Sequence, residues 1–258
     1  MKNVTLMILI NFFLVSCIDI ITEEEFYESV HIEGSGWFEF YENDEFENSL
    51  FSESFTVQIW FSGQNNIGDM GPCILNIKNE IGNLAIYRDL HINNNLIIYL
   101  NDMLIEEVEI TDMNLEEKEN FYLLSVVIDD NNGSLYLNDV MIKDDIEING
   151  MEHNIIVGGR LDTNNSPNNL WYGYIDEIRI WNTALTEEII SFHNQYPDKV
   201  SSSYEDEYLP HLIGLWDFKI DSYIETIPYI FQDINENNIY AIIYTLEFMT
   251  NELALLGR

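Results

Sequence analysis

Three pairs of carboxylates stand at the i, i+2 spacing that could act on a glycosidic bond: Glu107 with Glu109, Asp145 with Glu147, and Glu45 with Glu47. Two residues apart on a strand, side chains share a face at roughly 6.8 Å. A retaining glycosidase needs its carboxyls about 5–5.5 Å apart, and an inverting one about 6.5–9.5 Å. None of the pairs has a third acidic member, so there is no Glu-x-Asp-x-Glu run, and solvated strand faces account for all three. The histidines, His31, His91, His153, His193 and His211, show no His-x-x-x-His or Cys-His spacing that would suggest zinc. There is no Gly-x-Ser-x-Gly elbow, and Gly158-Gly159 ends a strand instead of opening a helix, which removes nucleotide chemistry. The expectation is a protein that is not an enzyme.

Binding chemistry has more material. Forty-six acidic against ten basic residues leave a formal charge of -36, which repels nucleic acid and anionic lipid. Such acidity suits either a solvated surface or a set of cation sites; calcium, taking six to eight oxygens, is the cofactor to weigh. Among the aromatic residues, Trp37, Trp60, Trp181 and Trp216 lie in apolar strands and read as core. Trp171 follows the polar stretch 162–169, so Trp171 with Tyr172 is the better candidate for an exposed platform that stacks on a sugar ring. Cys73 opens the apolar run Cys73-Ile74-Leu75-Asn76-Ile77 with no basic residue nearby and reads as a small buried hydrophobe of low reactivity.

These residues are positioned by strands. From Tyr174 to Trp181 the period is two, placing Tyr174, Asp176, Ile178 and Ile180 on one face and Ile175, Glu177, Arg179 and Trp181 on the other. Glu177 and Arg179 then pair on the surface. Directly after, Thr186 is a natural N-cap with Glu187 and Glu188 in the first turn, and Leu185 and Ile190 fit a hydrophobic staple. Upstream, strands are predicted over 37–41, 55–61, 74–78, 84–88, 96–100, 104–110 and 121–128. Turn formers such as Asn93-Asn94-Asn95 and Asp129-Asp130-Asn131-Asn132-Gly133 separate them. Turn signals roughly ten residues apart indicate an all-β sandwich.

The run Tyr172-Gly173-Tyr174-Ile175-Asp176-Glu177-Ile178-Arg179-Ile180-Trp181-Asn182, with Ala184-Leu185-Thr186-Glu187-Glu188-Ile189, resembles the closing strand and helix of laminin-G-like domains of the concanavalin A-like (pentraxin-like) superfamily. Supporting pieces follow in order: Ser54-Phe55-Thr56-Val57-Gln58-Ile59-Trp60, Gly133-Ser134-Leu135-Tyr136-Leu137-Asn138-Asp139-Val140, and Ile155-Ile156-Val157-Gly158-Gly159. Asn138-Asp139 departs from the usual Asn-Gly of the hairpin. The resemblance implies an all-β concanavalin A-like jelly-roll β-sandwich with one short helix after the Ile-Asp-Glu strand. It also implies a structural calcium at the sandwich rim, with Asp176 and Asp233 at the matching acidic positions. Members of the superfamily are glycan hydrolases or binding modules.

At the N-terminus, Lys2 and the apolar run from Val4 to Leu14 are shaped like a secretory signal. Leu14-Val15-Ser16-Cys17 resembles the lipobox of bacterial lipoproteins, which implies lipidation of Cys17; an ordinary secreted chain is the other reading. The expected organisation is residues 1–17 as signal peptide and lipobox, 18–30 as an acidic tether and 31–258 as a single sandwich. In it, 209–258 supplies a circularly permuted opening strand, since Leu212-Ile213-Gly214-Leu215-Trp216 resembles that strand. A truncated second domain is the alternative. Together these indicate a non-catalytic module anchored in the outer membrane, on the surface or periplasmic side, that binds glycan or an extracellular protein. A glycoside hydrolase and a structural surface lipoprotein are the competing classes.

Overall fold

The computed structural model describes residues 28–33, 36–42, 54–63, 71–78, 82–89, 95–109, 121–148, 154–162, 167–197, 199–200, 207–216, 223–224, 229–232, 239–245 and 255–257. Of residues 28–33, 36, 41–42, 161, 167 and those from 223 onward, the backbone alone is described.

Alternating apolar residues along each predicted strand build two stacked sheets. The first runs β10 (Val140–Glu147), β9 (Asn132–Leu137), β8 (Tyr122–Asp129), β3 (Phe55–Gly63), β14 (Tyr172–Trp181), β1 (Glu28–Glu33) and β19 (Leu255–Gly257), with β15 (Leu212–Trp216) also paired to β14. The second runs β16 (Tyr223–Ile224), β17 (Tyr229–Gln232), β18 (Ile239–Thr245), β2 (Gly36–Glu42), β11 (Asn154–Val157), β4 (Cys73–Lys78), β5 (Asn83–Arg88), β6 (Leu96–Leu100) and β7 (Met103–Val108). A two-stranded ribbon, β12 (Arg160–Leu161) with β13 (Pro167–Asn168), forms a separate ladder, with β12 lying against β4 and β11. Pairing is antiparallel throughout the described residues. The main core fills the space between the sheets, with Phe55, Val57, Ile59 and Phe61 of β3 facing Leu75, Ile77, Leu84, Ile86, Leu96 and Ile98.

The outer face of the first sheet is closed by a helix, α1 (Glu187–Gln195). Thr186 is its N-cap in extended conformation, but its side chain makes no cap hydrogen bond and meets Glu188 Oε2 at 3.4 Å. Leu185 and Ile190 pack with Trp181, Val127, Tyr136 and Leu212 into a second apolar layer. Beneath it, Gln58 Oε1 accepts from Trp181 Nε1 at 3.1 Å and lies 2.9 Å from His193 Nδ1, while Gln58 Nε2 donates to Ser125 Oγ at 3.2 Å. The Trp181 N–H, a donor only, fixes that oxygen as an acceptor for His193 Nδ1, and His193 Nε2 lies 3.2 Å from a second acceptor, the Val200 carbonyl. No helix among the described residues is long and apolar enough to cross a membrane.

Strict alternation fails in β14. Ile175 pairs with Phe61 and Ile178 with Ile59, so Asp176 and Glu177 together oppose the single residue Trp60. This β-bulge shifts the register of faces. Ile175 joins Ile178 and Ile180 in the main core, contrary to the opposite faces that period two predicts. Arg179 is also corrected. It does pair with Glu177, yet it is fully buried, its guanidinium lying 4.4 Å over the Trp60 ring and donating to the carbonyls of Lys199 (3.1 Å) and Pro197. It pins the chain beyond α1 to the sheet, where the sequence suggests a solvated pair.

Residues after 208 enter both sheets. β15 runs along β14 beside β1, β18 pairs with all seven residues of β2, and β19 extends β1. Trp216 of β15 reaches into the core, its ring 4.7 Å from that of Phe40 in an edge-to-face contact.

Candidate functional site

The outer face of the second sheet carries no helix over β4, β5 and β6 among the described residues. In β5, Leu84 and Ile86 point to the core, so Ala85 and Tyr87 point away from it. In β6 the same alternation turns Ile97 and Tyr99 outward. Tyr87 stands opposite Ile97 and Ala85 opposite Tyr99, which sets the two tyrosines diagonally across the strand pair. Their rings meet edge to face at 5.5 Å and 89°. Cys73 joins them because a bulge between Cys73 and Leu75 lets Leu75 face the core while Cys73 sits against Tyr87.

Two further pieces complete a cleft of about 300 Å³ lined by Gly71, Tyr87, Asp89, Ile97, Tyr99, Asp102, Arg160 and Asn169. Asp102 comes from the β6–β7 hairpin, whose two turn residues, Asn101 and Asp102, have φ of 52° and 62°. Asn and Asp tolerate this left-handed region, so the short turn forms and holds Asp102 at the rim. Arg160 comes from β12. It donates through Nη2 to Asp102 and through Nη1 to the Tyr87 hydroxyl at 2.9 Å. Asn169 donates through Nδ2 to the Gly71 carbonyl at 3.2 Å, which leaves its carbonyl oxygen as an acceptor.

The electrostatics follow from burial and these pairs. Burial opposes the Arg160 charge, but the hydrogen bonds with Asp102 and Tyr87 more than offset it and hold the guanidinium above its ordinary range. Burial pushes the Tyr87 phenol up, with the neighbouring Cys73 adding to the effect and Arg160 opposing it, so Tyr87 keeps its proton. The Cys73 thiol, wholly buried, is pushed by burial from its ordinary 9.0 to about 12, which fits an inert packing residue. A raised thiol pKa favours the neutral folded state. Its contribution is fully present below the unfolded value of 9.0 and is lost as pH rises from there toward about 12. Between pH about 8 and about 10.5, urea titrations are therefore expected to show wild type losing about 2 kcal/mol more stability than Cys73→Ala.

The residues singled out from sequence are not brought together. Trp171, expected as an exposed platform, is 0% exposed and lies in the main core, edge to face with Phe61 at 5.8 Å. The bulge in β14 is the reason, since it puts Trp171, Gly173 and Ile175 on the core face. Tyr172 is half-buried at the start of β14, beside Glu33 of β1. Asp176 is half-buried at the bulge, and Asp233 and Cys17 lie outside the described residues. No group of three His, Cys, Asp or Glu side chains suited to a metal forms among the described residues. Of the carboxylate pairs, Glu107 and Glu109 are exposed and Glu107 accepts from Asn95 Nδ2 at 2.7 Å. Asp145, at φ 54°, interrupts the alternation that would align it with Glu147, and Glu45 and Glu47 lie outside the described residues.

No sequence motif marks the cleft residues. Tyr87 and Tyr99 were legible as the outward positions of β5 and β6, but Arg160 and Asp102 lie far apart in the chain and meet only through the fold.

Two stacked antiparallel sheets with a helix after the closing strand define a jelly-roll sandwich. A family model of the concanavalin A-like lectin/glucanases superfamily, of laminin-G type, matches residues 38–191, and the chain belongs to this family. Among solved structures, a candidate carbohydrate-binding protein from Bacteroides ovatus is similar at 13% identity and a TM-score of 0.56, covering 86% of this chain and 60% of its own. The chain thus spans less than two thirds of that protein's length. The heptameric pentraxin of Limulus polyphemus matches at 14% identity and a TM-score of 0.44 over 72% of this chain and 94% of its own. The fourth domain of an extracellular arabinanase from Geobacillus stearothermophilus, in complex with arabinotriose, matches at 15% identity and a TM-score of 0.42 over 64% and 75%. No curated protein matches.

Proposed function

We propose that this chain is a non-catalytic binding module that recognises glycan in the cleft over β5 and β6, held at the cell envelope by a lipid on Cys17. The observation that carries the proposal is the convergence of Tyr87, Tyr99, Arg160, Asp102 and Asn169 around one open cleft. A sugar ring offers an apolar C–H face and a rim of hydroxyls, and a site for it pairs an aromatic wall with fixed polar groups. Here Tyr99, the more exposed of the two tyrosines, supplies the wall and Tyr87 buttresses it. Tyr87 accepts from Arg160 and keeps its own hydroxyl proton to donate, while Asp102 and Asn169 accept. The fold shared with the Bacteroides ovatus protein supports the ligand class.

A glycan array followed by calorimetry on the purified full chain tests this. Wild type is expected to show saturable binding to at least one glycan. Tyr99→Ala is expected to weaken it at least about tenfold, or about 1.4 kcal/mol. Arg160→Lys, which loses the two-pronged contact with Asp102 and Tyr87, is expected to do the same. If no glycan binds, the cleft is not a sugar site; release of reducing sugar would replace a binding module by a hydrolase. Metabolic labelling with a radioactive fatty acid, lost in Cys17→Ser, tests the anchor separately.

A further inference from the structure

We infer that the cleft is selective for sugars that donate hydrogen bonds without negative charge, neutral or amine-bearing saccharides, and rejects those carrying a carboxylate; this rests on the glycan-binding proposal above. Among the described lining residues the cleft holds two carboxylates, Asp89 and Asp102, against one cation, Arg160. That cation is already committed. One N–H of Nη2 goes to Asp102 and one of Nη1 to the Tyr87 hydroxyl, Nε is buried, and the Asp102 carboxylate neutralises the guanidinium charge. A ligand carboxylate would therefore have to compete with Asp102 for a cation whose charge is already paired.

The net charge of the cleft lining is negative. The second oxygen of Asp102, whose side chain is 70% exposed, and the carbonyl oxygen of Asn169 both offer lone pairs. Donors are the Tyr87 and Tyr99 hydroxyls and the second N–H of Arg160 Nη1, Arg160 Nη2 and Asn169 Nδ2. A partner that meets acceptors must bring donors, which hydroxyls and ammonium groups do and carboxylates do not. The chain's charge of -36 adds a long-range field of the same sign. Rejection by like charge is a recognised route to specificity, with the penalty read as the difference between two affinities.

The test compares three oligosaccharides of one backbone and length by calorimetry on the full chain: the neutral form, the form with amines, and the form oxidised to uronates. Neutral and amine forms are expected to bind, the amine form at least as tightly. The uronate form is expected to bind at least about tenfold more weakly, with the gap narrowing as salt rises to about 0.5 M. Asp102→Asn keeps a residue that accepts the left-handed turn conformation while removing the charge and releasing Arg160. It is expected to recover most of the uronate affinity. A uronate form that binds wild type as tightly as the neutral one overturns the inference and leaves glycan binding standing. Failure of all three to bind, where other glycans do, also overturns it, whereas failure of every glycan on the array overturns both.

Discussion

Trp171→Ala is expected to lower the stability of the folded protein by about 3–5 kcal/mol, the loss typical of deleting a buried tryptophan. For a domain of this size, that corresponds to a fall in melting temperature of roughly 10 °C. Trp171 is 0% exposed, packs edge to face against Phe61 and belongs to the main core, so its removal leaves a cavity between the sheets. A surface platform would behave otherwise: its truncation would leave stability within about 0.5 kcal/mol. Trp171→Phe adds a sharper arm. The indole Nε1 is buried with no hydrogen-bond partner among the described residues, so phenylalanine loses packing area but also removes an unsatisfied donor. Its cost is expected to be well below that of alanine. Differential scanning fluorimetry with calorimetry on the three proteins reads both effects, and an unchanged melting temperature for Trp171→Ala would place the residue outside the core.

Removing residues 209–258 is expected to abolish cooperative unfolding. Three pairings are lost together: β15 from β14, β18 from the whole length of β2, and β19 from β1. The core loses Trp216, 1% exposed and in contact with Phe40. Such a loss is comparable with the entire stability of a domain, about 5–15 kcal/mol. It also uncovers the strand edges of β2 and β14, inviting aggregation. Trp216→Ala, expected to cost about 3–5 kcal/mol, separates the loss of core from the loss of strands. A chain ending at residue 208 with an undiminished melting transition would show these strands to be accessory and end the case for a permuted opening strand.

Neither experiment changes a cleft residue, so variants within the cleft separate site from fold. Tyr87, Tyr99 and Arg160 stand on the outer face of the second sheet, whereas Trp171 and Trp216 fill the space between sheets. A variant at Tyr99 or Arg160 that loses glycan while melting normally therefore reports on recognition.

The amino-acid pattern by itself determined the class of fold. Period-two apolar runs bounded by Asn, Asp and Gly place β6 at Leu96–Leu100 as predicted, and β3 and β8 within a residue or two of 55–61 and 121–128. Those runs bury one face whatever lies opposite. The helix after Thr186 was equally legible, because its acidic first turn and staple are local. Tertiary structure decided what local pattern cannot encode. One extra residue at Asp176 and Glu177 reverses which side of β14 meets the core, and with it the fate of Trp171. A polar stretch before a tryptophan suggests exposure, but the pairing with β3 overrides it. Arg179 read as a surface partner of Glu177; the carbonyls of Pro197 and Lys199 and the ring of Trp60 make burial tolerable by satisfying its charge. The cleft is the same lesson at the level of function. Tyr87 and Tyr99 are placed by alternation, but the Arg160–Asp102 pair exists only because β12 and the β6–β7 turn are brought to one rim.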